Sequence, residues 1–298
     1  MLSMLPGIVL LPFHALFQIL NLIIWGSVII LLGLIKLISP ITALTHIINR
    51  LLNAALRGFA LCAVGIINLF NKVEWDYQIE GTLRQNGWYL VMANHISWLD
   101  IILLMHFSCG RIPATKFFIK QELIWMPFIG LGAWALDMPF MRRYNAEFLN
   151  KHPHLKGKDL EATKKSCEKF CTIPTTVINF VEGTRFTEQK HRSKGSPYNN
   201  LLSPKAGGVA FTLASMGDLF DDIIDVTLVY PNNRQHVMMD MLCGKLTKVV
   251  LRAKAIPLAE QLVGDYQEDD EFRQQFQGWL NQLWQEKDSL IQQLRDNN

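Results

Sequence analysis

Asn94-His95-Ile96-Ser97-Trp98-Leu99-Asp100 places a histidine and an aspartate five residues apart. Residues 88–93 before it form an apolar run of strand length, and residues 101–105 after it read as a buried helix. A histidine at a strand end sits on stiff backbone, at the sheet edge where open α/β folds bind their ligands. An aspartate in the first helical turn can fold back onto the imidazole, fix one tautomer and favour the imidazolium. That pair is a general base with its orienter. With no evident protein nucleophile beside it, it suits a reaction whose nucleophile is a substrate hydroxyl. Two plainer readings stand next to this one. Ser97-x-x-Asp100 before an apolar run is also a capping box, and a histidine at a strand end can be a satisfied core or turn residue.

Two further polar clusters follow apolar strand-like runs. Arg142-Arg143 follows residues 135–141, and Glu182-Gly183-Thr184-Arg185 follows residues 175–181, the clearest buried strand in the chain. Glycine after a strand lets the backbone turn sharply and approach a ligand. Arginine at a strand end presents a planar fork suited to phosphate. The plain reading of either arginine cluster is a surface salt bridge. Three such clusters, each just beyond a strand, point to one shared site.

The elements that must position these residues can be read in order. Residues 1–35 carry no Asp, Glu, Lys or Arg, and from Ala15 to Ile38 the run is almost wholly apolar. About 20 such residues cross a bilayer core. The run is too long, and lacks the basic start, for a secretory signal. Lys36, Arg50, Arg57 and Lys72 follow it, so the positive-inside rule predicts a cytoplasmic location for the chain beyond the first helix. Pro40 is expected to end that helix. The second apolar stretch, 41–70, is interrupted by Arg50 and Arg57. Leu51, Leu52, Ala55, Phe59 and Ala63 are expected to share a face, as in an interfacial or re-entrant helix. A hairpin dipping into one leaflet is the alternative to a spanning helix.

From Val73 the composition becomes that of a soluble domain. Residues 77–81 read as an edge strand, 115–119 as a further strand, and 120–134 as an apolar, aromatic loop. Pro139 demotes the 135–141 strand to an edge or a sheet end. Residues 144–158, with His152 and His154, read as a solvated loop, and 158–171 as a charged amphipathic helix. Residues 186–203 read as a mobile polar loop. A helix opens at Pro204-Lys205-Ala206-Gly207-Gly208 and runs to Met216, where a glycine-rich start suits close packing or a phosphate. Strands follow at 223–230 and 247–253. From Asp265 acids favour a helix start. Phe272, Phe276, Trp279, Leu280, Leu283, Leu290, Ile291 and Leu294 then recur at helical spacing, as expected for packing on the domain. Trp279 and Trp284 are candidates for membrane contact. Alternating strands and helices predict an α/β domain with a largely parallel central sheet flanked by helices, and an N-terminal membrane-anchoring helix or hairpin. The division is 1–72 anchor, 73–264 α/β domain and 265–298 amphipathic helix.

Composition narrows the classes. Half of the 298 residues are hydrophobic and 18% are charged, which is greasy for a soluble protein and too polar for a multi-span transporter. A net charge of +3 is too small to argue for nucleic acid. Cys62, Cys109, Cys167, Cys171 and Cys243 are odd in number, scattered and without a zinc pattern, so reduced thiols are expected. No Gly-x4-Gly-Lys-Ser/Thr run exists, which excludes the usual P-loop kinase.

Asn94-His95-x4-Asp100 followed by Val181-Glu182-Gly183-Thr184-Arg185 resembles the glycerolipid acyltransferases, the 1-acylglycerol-3-phosphate acyltransferase family, and within it the bacterial YihG-type branch. The resemblance covers roughly residues 74–232, with four blocks in order. It implies transfer of an acyl group from acyl-CoA or acyl-carrier protein to a lysophospholipid hydroxyl at the bacterial inner membrane, with the catalytic domain facing the cytoplasm. No metal or redox cofactor is implied. Carried over by position, His95 is the general base and Asp100 its orienter. The second block falls on Phe140-Met141-Arg142, beside Arg143, and the third on Glu182, Gly183, Thr184 and Arg185. Both are implied in binding the glycerophosphate head group. The fourth, a strand ending in proline, falls on residues 226–231. Two departures bear on the acceptor head group. The third block has Phe180-Val181-Glu182-Gly183 where Phe-Pro-Glu-Gly is usual, and the second has Asp137-Met138-Pro139 where a glycine is usual.

Backbone N–H groups near the start of the helix after His95 are expected to serve the tetrahedral oxyanion. Two rival readings keep part of the pattern. A thioesterase would use the same His–Asp pair to activate water. A non-enzymatic lipid-binding protein would keep the arginines and need neither His95 nor Asp100.

Overall fold

A computed structural model describes residues 5–39, 41–141, 170, 173–233, 235–266 and 268–297. Pro40, Arg142, Arg143, the 144–158 stretch with His152 and His154, and the 158–171 stretch apart from Phe170 lie outside the described residues.

Two long helices come first, α1 (Gly7–Ile38) and α2 (Thr42–Phe70). Both are long and apolar enough to cross a membrane. Helix α1 begins at Gly7, well before Ala15, and bares Ile8, Ile24, Leu31, Leu37 and Ile38. Helix α2 buries Ile48, Leu52, Ala55, Leu56, Ala60, Ala63, Val64, Ile67 and Phe70, the three-and-four spacing of one helical face. The face expected from sequence is corrected here: Leu52, Ala55 and Ala63 lie on it, Leu51 is exposed and Phe59 half-buried. The two helices pack closely where Gly58 meets the Trp25 ring; a Cβ there would come within 2.2 Å of it.

The α/β domain then runs β1 (Glu74–Glu80), β2 (Tyr89–Ala93), α3 (Leu99–Ser108), β3 (Thr115–Phe117), β4 (Ile119–Lys120), α4 (Ile129–Ala135), β5 (Phe140–Met141), β6 (Thr176–Phe180), α5 (Glu188–Lys194), α6 (Ala206–Met216), β7 (Asp222–Val229), α7 (Val237–Leu242), β8 (Lys248–Pro257) and α8 (Asp270–Asp296). Six strands form one sheet in the order β1-β8-β7-β2-β6-β3. Among the described residues of this sheet only β7 and β8 pair antiparallel, so the sheet is largely parallel. Strand β2 is buried on both faces, which is why its sequence is a continuous apolar run. Tyr89, Val91 and Ala93 join the core under α2 and α3, and Leu90 and Met92 join the core under α6 and α8.

Three expectations need correction. Residues 120–134 are not a loop: a 3-10 turn at Gln121–Trp125 leads into α4. Here Gly26 and Gly33 of α1 approach Phe128 and Ala135, so the apolar residues find a helix to pack on. The strand expected at 135–141 shrinks to β5, since Ala135 already belongs to α4. The polar 186–203 stretch also folds. Thr187 Oγ1 accepts from Lys190 N at 3.2 Å to cap α5, Gly195 ends it at φ +57°, and Tyr198, Leu201 and Leu202 are buried beyond.

Helix α8 is capped by Asp269, which accepts from Phe272 N at 2.9 Å. Trp284 faces the domain and is wholly buried, so it is not a membrane contact. Helix α1 touches the α/β domain at both of its ends. Gly7 and Leu10 lie against Cys243 and Gly244, and Lys36 pairs with Asp137.

Candidate active site

Strand register builds the site. Strands β2 and β6 are parallel, with Ala93 opposite Phe180. Two residues further along each strand, His95 therefore lies level with Glu182. The His95 backbone N–H donates to Glu182 Oε1 at 2.9 Å, and Phe186 N–H donates to the His95 carbonyl at 2.7 Å. On the other side Asn94 extends the pairing with β7: its Nδ2 donates to the Leu228 carbonyl at 2.9 Å, and its Oδ1 accepts from Leu228 N at 2.8 Å. His95 thus stands on backbone tied to both neighbouring strands, at the carboxyl ends of four parallel strands.

Asp100, fully buried in the first turn of α3, folds back as the spacing predicts. Its Oδ2 lies 2.8 Å from His95 Nδ1 and also accepts from Ile96 N at 2.6 Å and Ser97 N at 2.8 Å. Ser97 Oγ accepts from Leu99 N at 3.3 Å. The capping and orienting readings of Asp100 are thus both realised by one carboxylate. This corrects the oxyanion expectation for most of that turn. The N–H groups of Ile96, Ser97, Leu99 and Asp100 are all bonded within it.

Two residues missed in the sequence complete the surroundings of the His95–Asp100 pair. Tyr230, wholly buried, donates its hydroxyl to Asp100 Oδ1 at 2.6 Å. Burial, with the Asp100 charge beside it, holds the phenol well above its ordinary range, so it stays a donor. The Phe180 ring stacks on the imidazole with centroids 3.9 Å apart. Tyr230 is the last residue before Pro231, at the end of a strand. Its position there was the available signal for a site residue.

Glu182 is 1% exposed. Its second oxygen accepts from Leu202 N at 2.9 Å, so each oxygen is bonded to a backbone amide. Burial pushes its carboxyl up to about 7. Gly183 takes φ +64°, in the left-handed region that glycine tolerates. Thr184 Oγ1 accepts from Lys190 Nζ at 2.8 Å, and the Arg185 carbonyl accepts from the same ammonium at 3.1 Å. The Arg185 guanidinium lies 4.6 Å over the Trp98 ring, a cation–π contact. Lys190 was also missed. Desolvation, then the Arg185 charge, lowers its ammonium below the ordinary lysine range. The structure therefore brings His95, Asp100, Glu182, Gly183, Thr184 and Arg185 to one sheet edge. Arg142 and Arg143 lie outside the described residues.

The arrangement can hold a neutral imidazole by Nδ1, leaving Nε2 to take a proton beside a basic turn. The chain is 29% identical over 213 residues to human 1-acyl-sn-glycerol-3-phosphate acyltransferase delta, covering 67% of this chain and 51% of that protein. It is 27% identical to the mouse gamma protein, covering 67% and 52%. The chain thus spans about half the length of these relatives. The crystal structure of the 1-acyl-sn-glycerophosphate (LPA) acyltransferase PlsC from Thermotoga maritima shares the fold. Its TM-score is 0.57 at 16% identity, over 94% of this chain and 96% of that one. The acyltransferase family model matches residues 75–230, just over half of the sequence, and the chain belongs to that acyltransferase family.

Proposed function

We propose that this protein transfers a fatty acyl group from acyl-CoA or acyl-carrier protein to the free hydroxyl of a lysophospholipid such as 1-acylglycerol-3-phosphate. The observation that carries this reading is the His95 Nδ1–Asp100 Oδ2 contact of 2.8 Å at the sheet edge, with no protein nucleophile in the described site. His95 Nε2 takes the proton of the acceptor hydroxyl as its oxygen attacks the thioester carbonyl. The tetrahedral intermediate collapses, the C–S bond breaks, and the imidazolium returns the proton to the thiolate. An ester and a free thiol result, and no metal or redox cofactor enters the balance. Asp100 steadies the imidazolium, and Tyr230 and the two turn amides hold Asp100. Arg185, with Gly183 and Thr184 in the same turn, binds the phosphate of the acceptor, joined by Arg142 and Arg143. Glu182, bonded on both oxygens to backbone, acts by holding His95 and the turn in place.

The functional parts are an anchor over 1–72, the acyltransferase domain over 73–264 and the helix over 265–298. The protein works at a membrane, which the exposed apolar length of α1 supports. A YihG-type bacterial protein on the inner membrane, domain facing the cytoplasm, fits the basic residues that follow α1. The contacts of both ends of α1 with the domain support a hairpin that lies along it and dips into one leaflet.

The test is acyl-CoA consumption by the detergent-purified full chain, with and without lysophosphatidic acid. Lysolipid-dependent thiol release with a diacyl product is expected. His95→Ala should lower kcat by about 10³-fold or more and Asp100→Asn by about 10²–10⁴-fold, as for other His–Asp pairs. Arg185→Ala should chiefly raise the acceptor KM. Thiol release that ignores the lysolipid would replace this reading with a hydrolase, and full transfer by His95→Ala would overturn it.

A further inference from the structure

Helix α8 lies wholly beyond residue 230, where the match to the acyltransferase family model ends. Much of its buried face is apolar, yet Lys287 and Asp288 are also buried there, as is the indole N–H of Trp284. Apolar packing alone needs none of these polar groups, and each is costly to bury without a partner. All three have partners, and the partners lead to the site.

Asp288 Oδ2 accepts from Asn199 N at 2.9 Å, and its Oδ1 accepts from Asn200 N at 2.7 Å. Trp284 Nε1 donates to the Leu202 carbonyl at 3.0 Å. The 199–202 turn is thereby fixed at three of its four residues. The fixed turn aims Leu202 N–H at Glu182 Oε2, 2.9 Å away, while Glu182 Oε1 accepts from His95 N. By a second route Lys287 Nζ donates to the Val226 carbonyl at 2.6 Å and pairs with Asp225 at 2.8 Å. Val226 is the residue opposite Ala93, two positions before His95.

We propose that α8 is a positioning element for the general base, acting through Asp288 and Trp284 on the 199–202 turn, through that turn on Glu182, and through Glu182 on the backbone of His95. This rests on the acyl-transfer reading only for its kinetic consequence; the mechanical relay stands apart from it. Trp284 and Asp288 touch no reacting atom. Their effect is on geometry, where small misplacements of a base are costly in rate.

The experiment uses the full chain in detergent, with Trp284→Phe, Asp288→Asn and, as a packing control on the same helix, Ile291→Val. Trp284→Phe keeps the aromatic packing and deletes the donor. Each relay variant should lower kcat by about 3–10-fold with acceptor KM within about twofold, and the two should have little further effect on a Glu182→Gln background. Amide hydrogen exchange, followed in parallel, should quicken at the segment holding His95 in both relay variants and not in Ile291→Val. Unchanged kcat in both relay variants, losses that add in full to Glu182→Gln, or losses matched by Ile291→Val would overturn the proposal. If the wild-type chain shows no acyl transfer, the functional reading fails, and the exchange measurement still decides the relay: unchanged protection at His95 sinks it.

Discussion

Asp100 meets two demands with one carboxylate. Four donors reach it: the imidazole, two backbone amides and the Tyr230 hydroxyl. A carboxylate offers about four lone-pair sites, so Asp100 has no free rotation away from His95. Glu182 is the contrasting case, buried between two amides, with a carboxyl raised from the ordinary 4.5 to about 7. A carboxyl raised on folding stabilises most while both states hold the proton, below about 4.5. That contribution is lost as pH rises through 7. Wild-type stability relative to Glu182→Gln should therefore fall across this window, by on the order of 3 kcal/mol. Chemical denaturation of both proteins at several pH values between 4 and 8 measures it. Parallel stability curves would show that the burial of Glu182 does not act this way.

At the scale of elements, the β6-to-α5 connection shows how a turn is specified. Strand β6 ends at Phe180, and Gly183 reverses the chain at φ +64°. The backbone then closes through Phe186 N–H onto the His95 carbonyl. A Cβ on Gly183 would lie 2.9 Å from Lys205 Cδ. That side chain can shift; the left-handed backbone cannot be relieved so easily. Gly183→Ala should cost about 1–2 kcal/mol, a Tm drop of a few degrees, and should slow acyl transfer by displacing Thr184 and Arg185. An unchanged Tm would mean that the turn relaxes to another conformation without cost. The capped helix α5 carries the same lesson for the polar 186–203 stretch. Thr187 and Gly195 are ordinary helix-end residues, and charge density hid them.

For the whole molecule, the decisive geometry is that of α1. Its 32 residues extend about 48 Å at 1.5 Å per residue, and its two ends meet the domain at Cys243–Gly244 and at Asp137. A helix crossing the bilayer would leave the domain at one end. The exposed apolar surface of α1 continues over Trp125, Met126, Ile129 and Leu131, as a face in contact with lipid would. Single cysteines replacing Leu5 and Ser39 in a cysteine-free background should both react with an impermeant maleimide from the side of the membrane that carries the domain. Labelling from opposite sides would establish a spanning helix.

His95-x4-Asp100, the buried strands and the apolar N-terminal helices were legible in the residues because each is a local matter. Five residues span one strand-to-helix turn, and apolar runs follow burial along the chain. The ends of α4 and the shortness of β5 were not, since Phe128, Trp134 and Ala135 pack on α1 rather than in the sheet. Nor could the sequence by itself determine that His95 faces Glu182, 87 residues away, or that Tyr230 holds Asp100. It left Trp284 as a candidate for lipid when Trp284 is buried on the 199–202 turn. Those partners depend on strand order and register and on where a distant helix docks. Hydrogen bonds between remote segments leave no periodic trace in the chain, so only the tertiary structure decided what holds His95 in place.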